Sequence, residues 1–308
     1  MQRPMDLDRS PGTAHRQAVW VAVVVTLLWS SSWVLIKVGL DESLPPLTFA
    51  GLRYTLAFLV LLPFVVGRRE ARAELGRLDR RSMGMLLALG VTFYSLTQGA
   101  IFLSLSTLDA TLVSLLWNLT PVLVAVAGVV WLHERIRRLQ AVGIALCFMG
   151  AALYFLPSLL PQAAAAGLIF AAIGVAANAA ASVLGRKVNR DRRLTASVVT
   201  LVSMGIGGIV LLLAGLLTQG LGKLSGSQLA ILAWLALVNT ALAFTLWNRT
   251  LRTLTAVESS ILNGLMVPQI AVLAVIFLDE WLTLGQWFGL LLVALGGYWV
   301  QRLPPDTG

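Results

Sequence analysis

TLDATLVSLLWNLTPVLVAVAGVVWLHERIRRLQAVGIALCFMG, residues 107–150, returns as TLTAVESSILNGLMVPQIAVLAVIFLDEWLTLGQWFGLLLVALGG at residues 253–297. At a spacing of 146 residues, Thr107 aligns with Thr253, Leu108 with Leu254, Ala110 with Ala256, Ser114 with Ser260, Glu134 with Glu280, Gly143 with Gly289 and Gly150 with Gly296. Pro121 and Pro268 correspond after a one-residue shift. A repeat of this length describes two copies of one unit, and the apolar character of both copies places that unit in a membrane.

The surrounding composition agrees. The 308 residues are 58% hydrophobic and 12% charged, against about 25% charged in a soluble domain. A hydrocarbon core of about 30 Å needs about 20 apolar residues per helix. Reading from turn to turn predicts helices at 17–40, 46–67, 83–104, 108–132, 139–156, 162–184, 196–218, 228–248, 257–278 and 284–302. The apolar run after Arg16 exceeds twenty residues, too long for a signal h-region of about 7–15, and is expected to stay as the first transmembrane helix. The expected fold is therefore an all-α integral membrane protein of ten helices.

A net charge of +9 would suggest nucleic acid in a soluble protein, but its distribution gives another answer. Twenty of the 23 basic residues fall on alternate segments: the N-terminal tail, 68–81, 135–138, 186–193, 249–252 and Arg302. Short cytoplasmic loops carry such an excess, so both termini are expected in the cytoplasm of a bacterial inner membrane, with no nucleic-acid partner. Trp20, Trp131, Trp281, Trp287 and Trp299 lie near helix ends, as an interfacial belt requires.

Five helices per unit is an odd number, so the second unit enters the membrane from the opposite side. The expected organisation is a tail at 1–16, a first five-helix unit at 17–158, a second, inverted one at 159–303, and a tail at 304–308. Inverted repeats are a transporter architecture, with the substrate site near the midplane and access alternating between the two sides. Other classes lack support. Cys147 is the one cysteine and the histidines, His15 and His133, lie in a tail and a loop, which argues against a metal or cofactor and against an enzyme. No charge ring or filter-like loop points to a channel.

Two five-helix modules, each with a proline-bearing helix, an apolar run, a turn (HER with Glu134, DEW with Glu280) and a Gly-rich last helix, resemble the EamA-type members of the drug/metabolite transporter superfamily. The likeness covers about residues 17–302 and includes the W-S-S-x-x-x-x-x-K pattern of the first helix and Arg53 in the second. It departs from the usual turn with His133 and Asp279 where a glycine is commoner. The resemblance implies a basket-like bundle with the fifth and tenth helices peripheral, and export of amino acids or other small metabolites across the inner membrane, as in the similar YddG-type amino-acid exporters.

Candidate site residues come from polar and aromatic groups at membrane depth. Trp29, Trp33 and Lys37 share one face of the first helix, with Ser30 and Ser32 beside it, and a repeat offset of 149 puts Asn178, Ser182 and Arg186 in equivalent positions on the sixth. The serines either line a cavity or allow close packing. Lys37 either contributes charge or snorkels to the interface. Tyr94 and Gln98 lie on the third helix, Trp117 and Asn118 on the fourth, Asn239 and Trp247 on the eighth, and Asn263 with Gln269 flanks Pro268 on the ninth. Amides in lipid need partners, so these face inward, to substrate or to one another.

Arg53 lies within the second helix, where an unpaired cation costs about 2.5–3.5 kcal/mol. It meets either helix-end carbonyls or a substrate carboxylate. Glu258 and Asp109 either take a coupling proton or cap helices. Pro121 and Pro268 each remove a backbone hydrogen bond and are read as hinges rather than static kinks. Gly285 and Gly289 form a GxxxG pair, a weak pointer to a homodimer face.

Overall fold

The computed structural model describes residues 11–41, 44–124, 138–155, 164–190, 194–250, 253–254 and 262–302. The described elements are all helical: α1 (Pro11–Asp41), α2 (Pro46–Val66), a short α3 (Arg69–Gly76), α4 (Arg80–Leu89), α5 (Gln98–Leu105), α6 (Ala110–Trp117), α7 (Arg138–Phe155), α8 (Ala164–Arg190), α9 (Ala196–Gln219), α10 (Gly226–Trp234), α11 (Ala243–Thr250), α12 (Met266–Leu278) and α13 (Leu284–Arg302). Helices dominate because lipid offers backbone groups no partner. Among the described residues six helical runs are long and apolar enough to cross a membrane: His15–Leu40, Pro46–Val66, Arg80–Leu105, Ala165–Gly185, Ala196–Gln219 and Gly226–Trp247. Shorter apolar helices at Ala110–Val124, Ala141–Tyr154, Leu262–Leu278 and Leu284–Val300 fall where the sequence expects the fourth, fifth, ninth and tenth spans.

Helix ends are set locally. Asp79 accepts from the Ser82 N–H at 2.9 Å and starts α4. Ser225 and Gln228 form a reciprocal capping box that starts α10. Between α2 and α4 the sequence reading missed α3, which turns Ala71 inward and leaves its arginines exposed.

The two units interlock. The first helix of one unit, α1, packs on α11 and α12 of the other, while the first helix of the second unit, α8, packs on α5 and α6 of the first. Helix α2 packs along α9, and α7 along α13. The α7–α13 contact is crossed: a Cβ at Gly143 would stand 2.8 Å from the Gly296 carbonyl oxygen and one at Gly150 2.5 Å from that of Gly289. Repeat-equivalent glycines are Gly143 with Gly289 and Gly150 with Gly296, so each position touches the counterpart of its neighbour. That reciprocity is what a two-fold axis between the units produces. It also changes the reading of the GxxxG pair: Gly289 is taken up by Gly150 within the chain, where a Cβ would meet the Gly150 oxygen at 2.6 Å, so this glycine offers no face to a second copy.

The helical runs that the sequence treats as continuous are interrupted at matching places. A π-helical segment, π1 (Gly90–Thr97), joins α4 to α5, and a second, π2 (Leu235–Leu242), joins α10 to α11. Their starts lie 145 residues apart, one short of the repeat spacing. In each, a threonine hydroxyl donates five residues back: Thr97 Oγ1 to Thr92 O at 2.9 Å and Thr240 Oγ1 to Leu235 O at 2.8 Å. The proline-bearing helices are broken as well. A turn at 118–119 precedes Pro121 and one at 265 precedes Pro268, because the ring lacks an N–H and crowds the carbonyl four residues back. That carbonyl at the first break, Trp117 O, accepts from Thr120 Oγ1 at 2.7 Å instead.

Candidate functional site

The aromatic stripe of α1 is packed inside the bundle. Trp29 stands against Phe244 and Trp247 of α11, with ring centroids 5.3 and 5.1 Å apart. One turn on, Trp33 is buried and meets Trp117 edge-on at 6.3 Å. Trp117 in turn lies against Gly174 of α8, where a Cβ would stand 2.3 Å from the indole. One face of α1 thus reaches both units, since the four-residue spacing aligns the rings and the inverted packing places a different unit beside each.

Polar groups follow the same division. Ser30 Oγ donates to Gln269 Oε1 at 3.0 Å and lies 3.5 Å from Met266 O, both beside the Pro268 break. Asn178 Nδ2 donates to Thr120 Oγ1 at 3.2 Å, beside the Pro121 break. Each unit's first helix is therefore hydrogen-bonded to the broken helix of the other. Asn239 on π2 donates through Nδ2 to Leu28 O and to Ser31 Oγ, the latter at 3.2 Å. Among the described residues its Oδ1 and the Trp29 Nε1 are buried without partners, uncommon for buried polar atoms.

The charged candidates differ. Lys37 Nζ donates to Leu105 O at 3.1 Å, the last carbonyl of α5, where a cation also meets the negative end of the helix dipole, and to Leu108 O at 2.7 Å in the turn before α6. Arg53 is 4% exposed, and donates through Nε to Thr240 Oγ1 at 3.1 Å and through Nη1 to Ser32 Oγ at 3.4 Å. Its guanidinium lies 5.3 Å from the centroid of Tyr54, whose ring packs against Tyr94 at 5.5 Å. Glu258 lies outside the described residues.

The remaining candidates are not brought into these clusters. Gln98 is part-buried on α5, and Asn118 Nδ2 is satisfied within its own helix by Ser114 O at 3.1 Å. Ser182 is exposed and donates to Asn178 O at 2.8 Å, and Asn263 is exposed. A groove of about 450 Å³ lined by Leu78, Asp79, Arg80, Met83, Gly84 and Leu87 contains none of the candidates.

Phe244, Thr240, Thr120 and Tyr54 take part without having been singled out in the sequence. Glu280 was visible as part of the DEW turn, but its partners are in the other unit. Its carboxylate accepts from the Ala110 N–H at 2.7 Å, the Thr111 N–H at 3.0 Å and Thr111 Oγ1 at 2.8 Å, capping α6. Asp279 before it has φ 55°, the left-handed C-terminal position that favours glycine, which accounts for the glycine commoner in similar turns.

The profile described as "EamA-like transporter family" matches twice, at residues 16–156 and 165–301. A protein of Salmonella typhimurium (strain LT2) named "Probable amino-acid metabolite efflux pump" is 27% identical over 294 residues, covering 92% of this chain and 94% of its own. One of the same name from Escherichia coli (strain K12) is 27% identical over 289 residues, covering 90% and 92%. An "Uncharacterized transporter YvbV" of Bacillus subtilis (strain 168) is 28% identical over 281 residues, covering 90% and 89%. One solved crystal structure superposes with a TM-score of 0.64 at 19% identity, covering 96% of this chain and all of that one, and shares the fold.

Proposed function

The chain belongs to the EamA-like transporter family, a transporter rather than an enzyme, and from that premise we propose that it exports amino acids across the bacterial inner membrane by alternating access. Both termini lie in the cytoplasm in this reading, as the distribution of arginine and lysine requires. Two relatives named as probable amino-acid metabolite efflux pumps support the direction and the substrate class.

The observation that carries the mechanism is the reciprocal pair of contacts at the proline breaks, Ser30 with Gln269 and Asn178 with Thr120. A half-helix beyond a break moves without unwinding its neighbour, because the backbone bond that would resist is already absent. With each first helix tied to the opposite unit's break, rocking one unit against the other shifts both half-helices together. Pro121 and Pro268 are the hinges of that motion.

Trp29, Trp33, Trp117 and Trp247 give the path an aromatic wall suited to apolar or aromatic side chains, and Ser30, Asn178 and Asn239 supply polar contacts between the units. Tyr94, Gln98, Asn118, Ser182 and Asn263 belong to the same proposal as groups a moving substrate meets in other states. Lys37 holds the end of α5 and takes no part in coupling, and Glu258 is the candidate for a coupling proton.

The test is efflux from proteoliposomes loaded with a broad amino-acid panel. Substrate-dependent efflux above that of protein-free vesicles, weakened about tenfold by Trp29→Ala, is the expected result. Absence of flux for every member of the panel overturns the amino-acid assignment.

A further inference from the structure

We propose that Arg53 is the carboxylate-binding residue of the transport site, so that the substrate class is the carboxylate-bearing metabolite and its neutral amides or decarboxylated amines are rejected. This rests on the carrier reading above and goes beyond it in naming the group recognised and the residue that recognises it.

Arg53 is 4% exposed, on a predominantly apolar helix. A guanidinium is charged at every relevant pH and carries five N–H donors. Two are used, on Thr240 Oγ1 and Ser32 Oγ, and among the described residues the others have no protein acceptor. Neither bond goes to a helix-end carbonyl, so Arg53 is not a helix cap like Lys37. Both partners are neutral, and among the described residues this membrane-buried cation is held by hydroxyls alone, without the counter-charge that normally offsets its desolvation. Tyr54 faces the guanidinium at 5.3 Å, which supports the charge without neutralising it.

The geometry points to what is missing. The Thr240 hydroxyl donates to Leu235 O at 2.8 Å, so its lone pairs are turned to Arg53 and fix the Nε edge of the planar fork. The fork that remains matches a carboxylate in a two-point contact. Ser32 belongs to the first unit and Thr240 to the second, so the guanidinium sits on the boundary that moves in alternating access, where transport sites of inverted repeats lie. Beside Thr240 on π2, Asn239 leaves a buried Oδ1 without a donor among the described residues, an acceptor complementary to the ammonium of an amino acid. The residue that holds the cation, Thr240, and the residue that carries the acceptor, Asn239, are neighbours on π2, which places a positive and an electron-rich group in one region, as a zwitterion needs.

The experiment uses the full chain in liposomes loaded with an equimolar mixture of L-amino acids, their C-terminal amides and the corresponding decarboxylated amines, with efflux of each followed by mass spectrometry. Wild-type protein is expected to release carboxylates at least about tenfold faster than the matched amides and amines, the discrimination of one charge-assisted contact. In Arg53→Gln that preference falls to about one, and Arg53→Lys, which keeps the charge without the fork, retains part of it. Equal release of carboxylates and amides by wild-type protein overturns the proposal, as does an unchanged preference in Arg53→Gln. The wild-type comparison stands even if Arg53→Gln does not fold. Release of no compound above protein-free vesicles defeats the carrier reading itself, and release of amines in preference to carboxylates defeats only the role of Arg53.

Discussion

Glu280 joins the two units through three hydrogen bonds to the start of α6, and a carboxylate on free helix N–H groups is stabilising both as a cap and through the dipole. Glu280→Ala is expected to lower the stability of the detergent-purified protein by about 2 kcal/mol, read as a lower midpoint of thermal unfolding. Lys37→Met removes bonds to two carbonyls and is expected to cost about 1 kcal/mol while transport persists. Loss of transport at undiminished stability would return Lys37 to a role in coupling. At φ 55°, Asp279 occupies a conformation that a β-branched residue resists, so Asp279→Val costs about 1–2 kcal/mol in the same unfolding measurement and Asp279→Gly costs none. Residue types at these positions were legible in the sequence as a turn motif, but their partners were not. Ala110 and Thr111 lie about 170 residues away in the chain, and only the fold brings them near. The same holds for Arg53, whose partners Ser32 and Thr240 carry no sequence mark as such.

Helices were the easiest part to read. Long apolar runs bounded by arginine and proline follow from the thickness of the bilayer alone; the described ends of α2, α7, α9 and α13 fall within about one residue of expectation, α1 starts and α8 ends about six residues beyond it, and the expected end of the fourth helix and start of the ninth lie outside the described residues. Interruptions within them were another matter. Nothing in GVTFYSLT or LALVNTAL distinguishes a π turn from an α turn, because the difference lies in which carbonyl each N–H selects, with threonine hydroxyls occupying the widened turn. The proline breaks were foreseeable, since a missing N–H is written in the sequence. Pro268→Ala is expected to restore a continuous helix and slow transport at least about tenfold with little effect on apparent affinity. Unchanged turnover would make the break a static shape. Gly150 shows what spacing can and cannot tell: its repeat partner was visible as Gly296, but its contact is Gly289, since symmetry mates meet across the axis. A side chain there would stand 2.5 Å from a carbonyl oxygen, so Gly150→Leu is expected to separate α7 from α13, with a stability loss of about 1–3 kcal/mol or more seen in thermal unfolding.

At the scale of the whole molecule, the sequence declares two units and the structure shows what relates them: interlocked first helices, matched π segments, matched breaks and crossed glycine contacts. A fold with this symmetry has two equivalent ways to lean, and a carrier needs two such states. The central claim is therefore exchange between inward- and outward-facing forms, tested most directly by counterflow. Proteoliposomes preloaded with unlabelled amino acid and exposed to trace labelled amino acid are expected to accumulate label transiently above its equilibrium level, with saturation as the external concentration rises. Label that enters only to equilibrium, without saturation and without stimulation by the internal pool, would contradict a carrier and describe a pore instead.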